Sequence, residues 1–152
     1  MIPLEEPFSP IRAYWAVSLS WAIAQLTKVI YGIFREKRLN LRWIFDTGGM
    51  PSSHSATVAS LATCSGLYFG FFSMPFLIAL IFSIITMFDA AGVRRSVGRQ
   101  AQVLNKISQE LYEKGQVTQE RLKELLGHTP VEVLAGALVG IIMSFLICGA
   151  FR

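Results

Sequence analysis

Four stretches of this chain are so nearly free of charge that water is a poor solvent for them. They run approximately Ile11 to Phe34, Ser55 to Phe72, Met74 to Ala91 and Val131 to Phe151. Each is close to the roughly 17–25 residues that a helix needs to cross the hydrocarbon of a bilayer. At 53% hydrophobic over 152 residues, the composition is that of a membrane protein and not of a soluble domain of this length. The expected fold is therefore all-α: a polytopic membrane helical bundle with about four transmembrane helices and short interfacial helices, forming one membrane-embedded domain over residues 1–152. Only Ser73, Met74 and Pro75 separate the second and third spans, which predicts a tight helical hairpin. A single continuous helix there would be too long for one crossing. The start, Met1-Ile2-Pro3-Leu4-Glu5-Glu6, has no basic n-region, so no cleavable signal is expected.

Orientation follows from the cations. They crowd into the loop after the first span (Arg35, Lys37, Arg38, Arg42) and the segment after the third (Arg94, Arg95, Arg99, Lys106, Lys114, Arg121, Lys123), which predicts that both are cytoplasmic. The expected location is the inner (plasma) membrane, with both termini outward. Between the third and fourth spans the chain is too polar and too short to hold a core of its own. It reads as two short helices at the membrane surface, the first carrying Val97, Ala101, Leu104, Ser108 and Leu111 at helical spacing, with stops at Gly115 and Gly127. That stripe is expected to pack on the bundle, and the basic residues could hold anionic headgroups. Cys64 and Cys148 fall within spans and read as small buried hydrophobes.

The chain has two histidines, and both stand where a helix begins. His54 lies in Gly48-Gly49-Met50-Pro51-Ser52-Ser53-His54-Ser55, where Ser52 or Ser53 is a good N-cap. A helix start carries unpaired N–H groups and the positive end of the helix dipole, and so favours an anion such as phosphate. His128 lies in Leu126-Gly127-His128-Thr129-Pro130-Val131-Glu132. There Thr129 and Glu132 fit a capping box. Glu132 could equally accept the N–H of His128, and the two roles are compatible because a carboxylate has two oxygens. The predicted topology puts both histidines at the cytoplasmic interface.

Within the first span, Gln25 and Lys28 share one helix face. Lys28 either snorkels to the interface or points into the bundle toward an anion held by the His54 helix. Asp89, near the end of the third span, is expected to have a structural role, paired with Lys28 or with Arg94 or Arg95. The sequence holds no convincing metal cluster, Asp46 and Asp89 being scattered.

Taken together, Lys28-x6-Arg35, Pro51-Ser52-Ser53-His54 and His128-x3-Glu132 resemble the three signature motifs of the type 2 phosphatidic acid phosphatase and vanadium haloperoxidase superfamily, K-x6-R-P, P-S-G-H and S-R-x5-H-x3-D. Order and internal spacing agree. Glu36 replaces the first motif's proline, Ser53 the glycine and Glu132 the aspartate. The third motif is split, with Arg94 or Arg95 the arginine donors and Arg121 missing the spacing by one. The combination is similar to a small divergent bacterial branch of that superfamily.

That resemblance implies metal-independent hydrolysis of a phosphoric monoester, with no cofactor. His128 would be the nucleophile, oriented by Glu132, and His54 the general acid and base. Lys28, Arg35, Ser52, Ser53 and Arg94 or Arg95 would bind the phosphate. An interfacial site flanked by apolar spans implies a membrane lipid substrate such as phosphatidylglycerophosphate or phosphatidate, and no nucleic-acid partner. A non-enzymatic lipid-phosphate binding or transport protein is the alternative. A homo-oligomer would bury further surface of a thin bundle.

Overall fold

A computed structural model describes residues 10–37, 49–113 and 127–149 of the chain. Helix α1 spans Pro10–Glu36, α2 Ser53–Phe69, α3 Met74–Phe88, α4 Arg94–Glu113 and α5 Pro130–Ser144. A π-helical turn at Asp89–Val93 joins α3 to α4, and a second extends α5 over Phe145–Gly149. Every regular element among the described residues is helical, as the charge-free runs require.

The bundle is arranged inside-out relative to a soluble protein. Its largest fully buried side chains are Cys64 and the serines Ser20, Ser52, Ser55, Ser60 and Ser144, while Tyr14, Trp21, Phe82, Phe88, Leu138 and Ile142 point outward. In a bilayer, lipid tails are as apolar as leucine, so burying large hydrophobes gains little. Helices associate instead where small residues let backbones approach. Some buried hydroxyls bond within their own helices, Ser20 donating to the Ala16 carbonyl at 2.7 Å and Thr63 to that of Ala59 at 2.8 Å.

Helix α2 sits at the centre, packed by α1, α3 and α5. This explains its sequence. Three helical stretches, Pro10–Phe34, Met74–Glu113 and Pro130–Gly149, are long and apolar enough to cross a membrane unaided. At 17 residues and rich in Ser and Thr, α2 meets its neighbours more than lipid. The hairpin between α2 and α3 forms as expected: Gly70 ends α2 at a φ of 88°, a conformation glycine adopts without penalty, and Ser73 caps α3 by accepting from Phe76 N–H at 3.3 Å.

Two details differ from the sequence reading. The polar segment after α3 does not start a separate surface helix, because α4 continues α3 through the π turn as one helical stretch, Met74–Glu113. Asp89-Ala90-Ala91-Gly92-Val93 holds no proline or strong stop, and the π turn absorbs the change of phase. Nor is the α4 stripe laid wholly on the bundle. Val97 and Leu104 stay about half exposed, at 47% and 51%, while Ala101 is buried. The stop expected at Gly115, with Lys114, Arg121 and Lys123, lies outside the described residues, as does Asp46, whereas Gly127 is described and stands outside any helix.

Helices α2 and α5 run parallel and in register. Ser52 lies on Gly136, Ala56 on Gly140, Ser60 on Ser144 and Cys64 on Cys148, four contacts spaced one turn apart on each helix. A side chain at Gly136 would collide with the Ser52 carbonyl, and one at Gly140 with the Ala56 carbonyl and the Ser60 amide. The Ser60 and Ser144 hydroxyls then share a 2.8 Å hydrogen bond across the contact. The same end of each helix carries its histidine.

Candidate active site

The parallel pairing decides where the two histidines go. Ser52, the N-cap of α2, donates its backbone N–H to the Glu132 carbonyl in the first turn of α5 at 2.9 Å, and its side chain accepts from Ser55 N–H at 3.3 Å. The α2 start is thereby bolted to the α5 start. His54 and His128 face one another with ring centroids 6.2 Å apart and planes tilted by 60°. The rings are too far apart to stack. Both imidazoles are close enough to meet one small ligand.

His128 is held on both sides. Its backbone N–H donates to the Ala90 carbonyl at 3.0 Å, an acceptor inside the π turn where the α-helical ladder is broken. Its ring Nδ1 lies 3.0 Å from Glu132 Oε2. The capping box is also present: Glu132 N–H donates to Thr129 Oγ1 at 3.3 Å, and Thr129 N–H to the same Oε2 at 3.1 Å. Both roles foreseen for Glu132 are filled, by one oxygen and not by two. Because an ionised carboxylate only accepts, Nδ1 carries the proton in this pair and the neutral ring keeps its lone pair on Nε2. His128 itself is 3% exposed.

Lys28 does not snorkel. It is 7% exposed, and its Nζ donates to Ser53 Oγ at 3.3 Å, which brings an ammonium to the first turn of α2. Its stem passes Gly49 in the loop that precedes α2. Ahead of the α2 ladder stand the amides of Ser53 and His54, for which the helix itself provides no acceptor. An anion between the histidines would therefore meet a lysine and a helix start, both favouring negative charge.

The structure brings together His54, His128, Glu132, Lys28, Ser52 and Ser53. Arg35 stands two turns beyond Lys28 in α1, and Arg94 opens α4 one turn after Ala90; the side chains of both lie outside the described residues. Arg95 is half-buried in the first turn of α4. Asp89 opens the π turn. The Ala90 carbonyl and the glycines Gly136 and Gly140 were not read as site-building from the sequence. The signal for the glycines was present, as small residues every fourth position from Gly136 to Cys148 and from Ser52 to Cys64.

Comparison with known proteins shows a family for the chain. The model of a family described as "Divergent PAP2 family" matches residues 12–143. The uncharacterized membrane protein YuiD of Bacillus subtilis (strain 168) is 41% identical over 139 residues, covering 84% of this chain and 88% of that protein. No solved structure matches.

Proposed function

This chain belongs to the divergent PAP2 family, and from that premise we propose that it is an integral membrane lipid phosphatase acting through a phosphohistidine. The observation that carries this reading is the histidine pair at 6.2 Å, one ring of which is oriented by a carboxylate. In the first step His128 Nε2 attacks phosphorus and the P–O bond to the lipid breaks, while His54 gives a proton to the departing oxygen. Water then attacks the phosphohistidine, His54 takes its proton, and inorganic phosphate leaves. Glu132 stabilises the imidazolium that forms. Lys28, the first amides of α2, Arg35 and Arg94 or Arg95 hold the charge on the non-bridging oxygens. The site lies at one end of a bundle whose outer surface is apolar, which suits a phosphate monoester on a lipid, phosphatidate- or phosphatidylglycerophosphate-like, presented from the cytoplasmic leaflet of the plasma membrane.

The test is phosphate release from phosphatidate and phosphatidylglycerophosphate by the purified protein in lipid, in excess EDTA, with inhibition by vanadate. Replacing His128 should abolish release. His54→Ala removes proton transfer, worth roughly 10²–10⁴-fold. With a leaving group that needs little protonation, it should accumulate a phosphoenzyme labile to acid, stable to base and mapping to His128. A protein that binds these lipids but neither releases phosphate nor traps it is a binding or transport protein, and the phosphatase reading then fails. Loss of activity in chelator, restored by magnesium, overturns the metal-independent mechanism.

A further inference from the structure

We propose that Cys64 and Cys148 are a thiol–disulfide site, at which a small apolar disulfide is reduced while α2 and α5 become cross-linked. The two sulfurs are 3.5 Å apart, both thiols free and buried. They are the last pair of the in-register contact, one turn beyond the hydroxyls of Ser60 and Ser144 at 2.8 Å. A helix contact close enough to exclude a side chain at Gly140 also brings the Cys64 and Cys148 backbones close. Disulfides need that proximity, and the sulfurs must close only to about 2.05 Å.

Both cysteines are almost wholly buried, Cys64 at 1% and Cys148 at 7% exposed. Cys64 lines a groove of about 360 Å³ between α1 and α2, walled by Tyr14, Val17, Leu61 and Tyr68 among others, whereas Cys148 is not part of it. Among the described residues nothing charged lines that groove, which favours an apolar aromatic disulfide over a highly charged tripeptide one. One thiolate of the pair attacks one sulfur of the reagent R–S–S–R, whose S–S bond breaks, releasing RSH. The other cysteine then attacks the protein sulfur of the mixed disulfide and displaces the second RSH. The two protons of the protein thiols end on the two RSH; the protein pair is oxidised and the reagent reduced. Cys64 is ten residues past His54, about 15 Å along the helix, so this chemistry is separate from the histidine site.

The probe is dithiodipyridine, added to the full-length protein in membranes, with released thiopyridone and intact mass as readouts. The wild type should release two thiopyridones per chain and retain no pyridylthio adduct, with a rise in Tm that dithiothreitol reverses. Cys148→Ser and Cys64→Ser should each stop after one release, keeping the adduct on the remaining cysteine. Two retained adducts on the wild type overturn the proposal. So does silence from the folded protein when the denatured chain releases two. Should either variant fail to fold, the wild-type mass alone decides between cross-link and adducts.

Discussion

At Glu132 one oxygen serves two donors, the amide that begins α5 and the imidazole of His128. Chemistry and helix capping therefore meet on a single atom, and substitution can separate them. Glu132→Gln keeps an acceptor for the Thr129 amide but loses the negative charge that favours an imidazolium. We expect phosphate release from a lipid phosphate to fall roughly 10²-fold or more, while thermal denaturation shifts by no more than the roughly 0.5–2 kcal/mol of a weakened cap. A lower Tm at unchanged rate would leave Glu132 a cap only. The i, i+4 spacing of His128 and Glu132 and the capping signature were both legible in the sequence, since each depends on local geometry alone. Sharing of one oxygen was not, because it depends on how the Thr129 backbone turns into the helix. The orientation of Lys28 was legible only as a choice between lipid headgroup and bundle; the hydroxyl of Ser53, which stands where the resembling motif has glycine, is what it meets.

Between elements, the contact of α2 with α5 is built from backbone surfaces and small side chains, so it tolerates added volume poorly. A Cβ on Gly140 would stand 2.8 Å from the Ser60 amide nitrogen and closer still to the Ala56 carbonyl, neither of which can swing aside as a long side chain would. Gly140→Leu should therefore cost more than the usual overpacking penalty of about 1–3 kcal/mol and move the two histidines relative to each other. Gly92 in the π turn has open space around it, so Gly92→Ala serves as the control and should leave Tm within a few degrees. Equal Tm for both variants, measured in the same detergent, would mean that the seam does not hold the bundle together. The apolar spans and the hairpin were readable from hydropathy and from Ser73 and Pro75. Continuity of α3 with α4 was not, because the change from apolar to basic composition at Arg94 marks a change of surroundings and, through the π turn, leaves the chain helical.

Across the whole molecule, both histidine-bearing helix starts, the C-terminal end of α1 and the start of α4 gather at one end, and the α2–α3 hairpin lies at the other. The excess of Arg and Lys at the first end predicts that it faces the cytoplasm. In a background lacking Cys64 and Cys148, cysteine in place of the fully exposed Phe72 should react with an impermeant thiol reagent in intact cells, and cysteine in place of Lys37 or Gln109 only after lysis. The reverse pattern would turn the protein over and remove a cytoplasmic lipid as substrate. The global layout was legible in hydropathy; the central position of α2 was not, since the run from Ser55 to Phe72 does not say which helices cover it. Parallel neighbours in one chain also impose an order of events. After α2 the chain must return through α3 and extend through α4 before α5 can lie beside α2, so His54 waits through about half the chain's synthesis for the helix that brings His128. Emerging chains fold from the N-terminus as they are made. Until α5 inserts, the polar face of α2 has only α1 and α3 to cover it, and the half-made protein has one histidine and no partner ring. A ribosome that stops early leaves an incompletely covered helix in the membrane, a species for quality-control proteases to remove, and one that carries no working fraction of the site.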